Sequence, residues 1–210
     1  MVDMSNYNKI APYYDYLAFL VFGHTQRKAV SCLLKDIPSG SRVLIAGGGT
    51  GKILEDISRL PNKNFTVVYI EKSIRMLERA KRRKITINNI TFIHQDILTF
   101  RSDTAFDCII TPFLLDNFSQ HEAAHLITML SCQLDKEGIW IDTDFRHVNN
   151  RFQFALTPLI RIMYWFFSWA GEVKAQALPP IDALFETAGY KAMKSETFYK
   201  GLIRTVLYAK

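Results

Sequence analysis

Residues 43–51, VLIAGGGTG, join a short apolar run to four glycines. An amphipathic segment at 53–60 follows directly, so the sequence predicts a strand, a tight turn and a helix. Glycine tolerates a positive φ and has no side chain, so backbone in such a turn comes close to a ligand at the carboxyl end of a strand. The identity of that ligand decides most of what the sequence says about function.

Three nucleotide-binding turns begin in this way, and their spacing separates them. A P-loop would place Ala46 at its first glycine and Ile53 at its metal-binding hydroxyl, so it fails at both positions. The dinucleotide fingerprint G-x-G-x-x-G would place Lys52 where close helix packing requires a glycine, which disfavours an NAD-dependent oxidoreductase. The spacing that holds is G-x-G-x-G, at Gly47, Gly49 and Gly51.

A second strand-like run, residues 65–70, ends on Glu71. A carboxylate at the tip of the neighbouring strand can accept hydrogen bonds from both hydroxyls of a ribose. The glycine turn and this acidic tip together predict a nucleoside ligand.

With these features the chain resembles the class I S-adenosylmethionine-dependent methyltransferases. Residues 43–51 resemble their first motif, and residues 71–80 resemble their ribose-binding segment, D/E-x-S-x-x-M-L-x-x-A. Residues 92–97 resemble the third strand and the acid that follows it, residues 106–111 the fourth strand, and residues 134–141 the entry into the fifth. The motifs also agree with the family in order and spacing.

The resemblance implies an α/β fold: a doubly wound, seven-stranded, mostly parallel sheet with an antiparallel last strand and helices on both faces. It implies S-adenosyl-L-methionine as cofactor, with Glu71 at the ribose, Asp96 at the adenine amino group and Thr111 near the methionine portion. The predicted cofactor-binding residues are Tyr14, Gly47, Gly49, Gly51, Glu71, Lys72, Met76, Asp96, Ile97 and Thr111.

Within this family the chain resembles the ubiquinone and menaquinone biosynthesis C-methyltransferases, whose F-x-x-I-A-x-x-Y-D opening is similar to residues 7–15. Two positions depart from the pattern: Ile45 stands where the first motif usually has Asp, and Asp116 stands where quinone enzymes tend to carry Arg before Asn117. The resemblance implies methyl transfer to carbon or oxygen of an apolar, aromatic or quinone/lipid-like small molecule. The alternative is a non-catalytic module that binds the same nucleoside and contacts a partner or membrane.

Catalysis leaves a weaker signal, because a sulfonium methyl donor already carries a good leaving group and needs no protein nucleophile. A phenol or enol acceptor would still benefit from a base or an oriented water. The candidate catalytic residues near the strand ends are Asp116, Asp144 and His147. The candidate substrate-binding residues are Phe113, Asn117 and Tyr164.

Residues 121–125 spell H-E-x-x-H, the zinc-protease motif. Their helix carries its apolar residues on one face, so His121 and His125 are predicted to point toward solvent. Ser119 and Glu122 fit a capping box, which explains the glutamate without a metal. We therefore predict no metal site.

At 210 residues the chain suits one domain, 1–210, with N-terminal helices in residues 1–38. A helix is predicted over roughly 12–22, and Thr25 is predicted to cap a second one whose apolar stripe extends to Ile37. Residues 146–178 crowd aromatic side chains into a lid-like segment that would wall an apolar substrate pocket and also offers a membrane surface.

Composition narrows the partners and the compartment. The net charge is +6, and the densest group of basic residues lies at 79–84, where cations at a helix end complement the helix dipole. No nucleic-acid-binding motif accompanies this group. Three cysteines show no disulfide or zinc spacing, and no signal peptide is apparent. We expect a cytoplasmic protein, monomeric or homodimeric, with a small-molecule substrate and room for peripheral membrane contact.

Overall fold

A computed structural model describes residues 22–61, 64–146 and 178–210. Seven strands form one sheet: β1 (Arg42–Ala46), β2 (Thr66–Glu71), β3 (Asn89–His94), β4 (Phe106–Pro112), β5 (Leu134–Phe145), β6 (Lys191–Phe198) and β7 (Ile203–Ala209). Their order across the sheet is β3-β2-β1-β4-β5-β7-β6. Strands β1 to β5 pair in parallel, and β7 pairs antiparallel with both β5 and β6. The predicted fold class is confirmed.

Helices cover both faces of the sheet, because its central strands are apolar on both sides. One face carries Val43 and Ile45 of β1, packed against residues of α2 (Lys52–Ser58) and α3 (Ile74–Lys81). The opposite face carries Leu44 and Ala46, packed in one cluster with residues of α4 (Gln120–Ser131) and α5 (Ile181–Thr187). Alternating residues of the same strand thus pack into two different cores. The carboxyl ends of the parallel strands lie at one edge of the sheet.

The N-terminal helix prediction needs correction. Helix α1 (Thr25–Ser31) does begin at Thr25, but His24 occupies the N-cap position and no side chain caps the helix. It ends at Ser31, and a separate 3-10 turn follows at Leu34–Asp36. Ile37 is extended (φ −66°, ψ 126°), as expected for a residue before proline, so the predicted stripe is not one helix. Residues 12–21 lie outside the described residues.

A 3-10 turn, Ile97–Thr99, and no α-helix connects β3 to β4. At the C-terminal side, β6 and β7 form a hairpin around a tight turn in which Tyr199, Lys200 and Gly201 all have positive φ. Within the described ranges, no helix has the length and apolar character required to cross a membrane.

Candidate functional site

The glycine turn lies at the carboxyl edge of the sheet, between β1 and α2. Its backbone is tied to the neighbouring strand, since the N–H groups of Gly47 and Gly48 donate to the carbonyl of Ile70 at 2.9 and 3.4 Å. Gly47, Gly49 and Gly51 have φ of +67°, +63° and +81°. L side chains rarely adopt this conformation, so the three glycines of the predicted spacing are required by the backbone itself.

Space around the turn explains its other glycine. A Cβ on Gly48 would lie 2.2 Å from the ring of Tyr69, whose hydroxyl donates to the carbonyl of Gly49 at 2.9 Å. A Cβ on Gly51 would lie 2.8 Å from the Cα of Ala80, because α2 and α3 approach closely there. In contrast, the nearest atom beyond the chain neighbours of a Cβ on Gly49 is the sulfur of Met76, at 4.0 Å. The turn is therefore packed at Gly48 and Gly51 and open at Gly49.

Glu71 lies at the carboxyl end of β2 and faces the turn. One carboxylate oxygen accepts the N–H of Gly49 at 2.9 Å, and the other accepts the N–H of Ser73 at 2.7 Å. Burial raises the pKa of Glu71, and these N–H donors oppose the rise by stabilising the charged form. Each oxygen keeps a second lone pair, so the carboxylate can accept further hydrogen bonds from a ligand.

Asp96 lies after β3 and contacts a second predicted residue. Its Oδ2 pairs with Nζ of Lys72 at 3.0 Å, and its Oδ1 accepts the N–H of Leu98, which caps the 3-10 turn. The side chains of Lys72 and Asp96 are 32% and 31% exposed, so a ligand can reach both. Ile97 is buried beside them. The structure thus brings Gly49, Glu71, Lys72 and Asp96 to one edge of the sheet.

Thr111 lies at the end of β4, as predicted, but its side chain points into the core. Its side chain is fully buried, donates to Asp142 Oδ1 at 2.7 Å and accepts a hydrogen bond from Trp140 Nε1 at 2.9 Å. The sequence placed Thr111 at the end of β4 but could not show which face of the strand it occupies. Its hydroxyl is engaged inside the core, so a cofactor contact at this position would involve the backbone of Thr111, and that contact stays a prediction.

Arg83 supports the glycine turn and was not among the predicted site residues. Its guanidinium donates to the carbonyl of Thr50 at 2.9 Å, to the hydroxyl of Thr50 at 3.2 Å and to Glu55 at 3.0 Å. The sequence shows only one cation among several at the end of α3. Arg83 and Thr50 are 33 positions apart, so no local sequence pattern predicts their contact, and only the tertiary structure reveals it.

Aromatic residues gather at the carboxyl end of β5. Phe113 has a positive φ of 51° immediately after β4, and its ring lies 5.1 Å from that of Phe145. Phe22 extends the cluster, with its ring 5.5 Å from Phe145 and 5.6 Å from Tyr199. A bulky residue with positive φ is uncommon and costs about 1–2 kcal/mol. The predicted substrate-binding residue Phe113 therefore lies in an apolar, aromatic environment.

The candidate catalytic residues Asp116 and Asp144 lie together at the ends of β4 and β5. Asp144 is fully buried, and its Oδ2 accepts the N–H groups of Leu115 and Asp116 at 2.8 and 3.3 Å. Asn117 donates to Asp116 Oδ1 at 2.9 Å and to the carbonyl of Phe113 at 3.0 Å. Asp144 therefore holds the turn that carries Asp116, and Asp116 is the partly exposed member of the two.

An ion-pair network lies beside this turn, buried at Asp142 and Arg146 and partly exposed at Asp182 and Arg204. Arg146 pairs with Asp142 at 2.8 Å and approaches Asp182 at 3.5 Å. Asp182 in turn contacts Arg204 and Tyr208, each at 2.6 Å. Asp142 is fully buried, so it depends on Arg146 for its counter-charge.

The capping box predicted at the start of the H-E-x-x-H helix is confirmed. Ser119 and Glu122 form a complete capping box at the start of α4. His121 and His125 are exposed. Other predictions fall on residues outside the described ranges: these are Tyr14, His147, Tyr164 and, apart from its end residues Arg146 and Leu178, the lid-like segment 146–178.

The sheet order, the glycine turn and the acidic tips of β2 and β3 define a class I S-adenosylmethionine-dependent methyltransferase domain. The sequence comparison agrees: residues 43–138 match a family described as a methyltransferase domain. The match supports a class I S-adenosylmethionine-dependent methyltransferase, and the resemblance drawn from the sequence motifs is confirmed at this level.

Curated relatives share the same region. The chain is 31% identical over 125 residues to a ubiquinone/menaquinone biosynthesis C-methyltransferase of Pseudomonas putida, covering 56% of this chain and 48% of that protein. It is 34% identical over 118 residues to a demethylmenaquinone methyltransferase of Tropheryma whipplei, covering 54% and 47%. The chain thus spans about half the length of the curated relatives it matches.

Solved structures share the fold at low identity. The magnesium protoporphyrin IX methyltransferase of Synechocystis PCC 6803 with bound SAH aligns with a TM-score of 0.63 at 20% identity, covering 88% of this chain and 81% of that one. A 1,6-didemethyltoxoflavin-N1-methyltransferase of Burkholderia thailandensis aligns with a TM-score of 0.66 at 14% identity, covering 98% and 86%. These neighbours differ in the substrates that they name, so they bear on the fold alone.

Proposed function

We propose that this protein binds S-adenosyl-L-methionine and transfers its methyl group to carbon or oxygen of an apolar, aromatic or quinone-like small molecule. The observation that carries the proposal is Glu71, whose carboxylate lies across the glycine turn within 2.9 Å of the Gly49 N–H. This arrangement offers acceptors for the two ribose hydroxyls beside an open stretch of backbone. Asp96 stands one strand further along, where an adenine amino group needs an acceptor.

The residues present fit that cofactor. A glycine at position 49 leaves the turn open on the side facing Glu71, while Tyr69 and Ala80 fill the space behind Gly48 and Gly51. When bound, S-adenosylmethionine supplies an electrophilic methyl group on a positively charged sulfur. The protein would then hold the nucleoside through Glu71 and Asp96 and orient the methyl group toward the ends of β4 and β5.

The chemical class of the methyl acceptor is inferred from the residues at the carboxyl ends of β4 and β5. Phe113, Phe145 and Phe22 place aromatic rings where β4 and β5 end, and Asp116 and Asn117 add polar groups at the same turn. Binding sites for small molecules combine apolar walls with a few oriented polar groups in this way. The curated relatives are named for ubiquinone/menaquinone biosynthesis and for demethylmenaquinone, which supports a quinone-like acceptor.

Calorimetry with S-adenosylmethionine and S-adenosylhomocysteine tests the cofactor. We expect wild type to bind both and Glu71→Ala to bind about 10- to 100-fold more weakly, because charge-assisted hydrogen bonds to the ribose are lost. Glu78→Ala is the matched control: Glu78 lies on α3, pairs with Lys81 at the surface and should leave affinity unchanged. Absence of binding by wild type would refute the proposal.

Glu71 also holds Gly49 and Ser73, so its loss alters the turn as well as the ligand contact. Asp96→Asn provides an independent variant, since Asp96 contacts only the 3-10 turn and Lys72 among the interactions described. It should weaken cofactor binding while the protein keeps its thermal unfolding midpoint within a few degrees. A loss confined to Glu71→Ala would indicate a folding effect.

Transfer itself is measured as S-adenosylhomocysteine release with a panel of hydroquinones and phenols. The alternative function, a non-catalytic nucleoside-binding module, is favoured by one observation: Ile45 is fully buried in the apolar core and replaces the acid usual in the first motif. Cofactor binding without transfer to any acceptor would support that alternative. Flotation with liposomes tests the expected peripheral membrane contact, and cytoplasmic residence remains part of the proposal.

A further inference from the structure

The turn after β4 brings two acidic residues close together. Asp116 lies in the 3-10 turn Leu115–Asn117, and Asp144 lies near the end of β5. Asp144 Oδ2 accepts the backbone N–H of Asp116 at 3.3 Å, and each of the two carboxyl groups shifts the pKa of the other. Two carboxylates held this close repel each other, so one proton shared by the pair removes one of the two charges.

A second observation points the same way. Asp144 is fully buried, and its Oδ1 has no hydrogen-bond donor among the described residues, while its Oδ2 accepts two backbone N–H groups. An ionised oxygen left without a donor in the core is costly, whereas a protonated carboxyl avoids most of that cost. Asp144 is therefore assigned as the protonated member of the pair.

The charges around the pair are those of Asp142 and Arg146, and Asn117 adds an amide. Burial raises the pKa of Asp116 to about 6; its hydrogen bond to Asp144 and the charge of Arg146 oppose the rise, and Asp142 adds to it. Burial also raises the pKa of Asp144 well above its ordinary value, with the charges of Asp116 and Asp142 acting in the same direction. Near neutral pH the pair thus carries one negative charge, on the outer member.

We propose that Asp116 and Asp144 form a proton-sharing pair in which Asp116 accepts the hydroxyl proton of the methyl acceptor and Asp144 positions Asp116 and stabilises its charge. This inference rests on the proposed function and names the acceptor class: a phenol, hydroquinone or enol with a hydroxyl beside the methylated atom. Asp116 would be the catalytic residue, and Asp144 a positioning residue that acts through it.

The proton transfer balances without any further reactant. The O–H bond of the acceptor breaks, its electron pair stays with the acceptor, and the proton forms a bond to a carboxylate oxygen of Asp116. The acceptor then uses that pair, at oxygen or at a conjugated ring carbon, to bond to the methyl group, and the pair of the broken C–S bond remains on sulfur. Where carbon is methylated, the ring carbon afterwards loses its own proton to water.

Carbon-13 NMR of protein labelled at the aspartate carboxyls tests the pair without any acceptor. We expect two coupled resonances that titrate above pH 5. Asp144→Asn should move the Asp116 titration to higher pH, since an amide N–H replaces the stronger O–H donor of protonated Asp144, which lowers the pKa of Asp116. Asp103→Asn, an exposed loop variant, should change neither resonance. Independent titration of both carboxyls below pH 4.5 would overturn the shared proton.

Kinetics separates the two roles, with 1,4-naphthohydroquinone and its 2-prenyl derivative as acceptors. Asp116→Asn should lower kcat/KM by about 100-fold and abolish the acidic limb of its pH profile. Asp144→Asn should keep that limb and shift it to higher pH, which a merely structural role would not do. Asp103→Asn should reproduce the wild-type profile.

Cofactor calorimetry distinguishes failure of this inference from failure of the proposed function. Both aspartate variants should bind S-adenosylhomocysteine within about twofold of wild type, since they lie outside the ribose and adenine contacts. If wild type binds the cofactor but methylates neither hydroquinone, or if Asp116→Asn keeps the acidic limb, the proton-transfer role is overturned while cofactor binding stands. Absence of cofactor binding by wild type would overturn the function on which both rest.

Discussion

The two halves of the carboxyl edge are built in different ways. At β1, β2 and β3 the contacts join backbone and partly exposed side chains at the ends of neighbouring strands: Gly49 to Glu71, and Lys72 to Asp96. At β4 and β5 the contacts join buried charged side chains, such as Arg146 with Asp142. The first half has the backbone and carboxylate groups that would bind the nucleoside of the cofactor. The second half has the aromatic and acidic groups that would select the methyl acceptor.

Removing a charge from the second half should have the largest effect on stability. Arg146→Met leaves Asp142 buried without its counter-charge, so we expect a loss of about 3–5 kcal/mol in the free energy of unfolding. Urea denaturation followed by circular dichroism measures the change. The double variant Arg146→Met with Asp142→Asn should recover part of the loss, and a single variant as stable as wild type would contradict a buried ion pair.

Adding one methyl group to the first half should rank second. Gly51→Ala places a Cβ 2.8 Å from the backbone of Ala80 at a φ of +81°, so we expect a loss of about 2–4 kcal/mol and much weaker cofactor binding. Gly40→Ala is the matched control, with φ of +82° and nothing within 4 Å of the new Cβ. It should lose only about 1–2 kcal/mol. Equal losses in the two variants would show that φ, and not the helix contact, decides.

The acid pair should make stability depend on pH. Because the pKa of Asp116 is raised to about 6 by burial, the folded state binds more protons than the unfolded state between about pH 4 and 6. The stabilisation from this group is complete below pH 4 and is lost as pH rises through 6. The unfolding free energy of wild type, minus that of Asp116→Asn, should therefore fall by up to about 1.4 kcal/mol per pH unit in this window. A difference independent of pH would contradict the raised pKa.

Breaking the exposed pair of the first half should have the smallest effect. Lys72→Met removes the partner of Asp96, but both side chains are about one third exposed, so stability should fall by less than about 1 kcal/mol. The same urea experiment applies, and added salt should reduce the difference further. An effect as large as that of Arg146→Met would remove the distinction between the two halves.

Much of the first half was predictable because each signal is local. The spacing of Gly47, Gly49 and Gly51 reflects a backbone with positive φ at all three positions, and only glycine suits that conformation. Glu71 stands at the end of an apolar run, so its place at a strand tip follows from the strand prediction. The capping box at Ser119 and Glu122 is equally local, since it spans one helical turn.

The second half was predictable only in part. Asp116 and Asp144 were candidates because they follow strands, but their contact depends on parallel pairing of β4 and β5 across almost thirty positions. Thr111 shows the limit most clearly: its position at a strand end was predicted, yet its hydroxyl lies in the core and bonds Asp142 and Trp140. Arg83 gave no signal at all beyond its charge.

The sequence by itself determined the order of the elements, the glycine turn and the acid at the tip of β2, because hydrophobic periodicity and positive φ act over a few residues. Only the tertiary structure decided which groups from different elements meet: Arg83 with Thr50, Arg146 with Asp182, and the N–H of Asp116 with Asp144. These contacts depend on register and on which face of a strand is buried. Such choices are set by the packing of the whole sheet, so no short segment of sequence contains them.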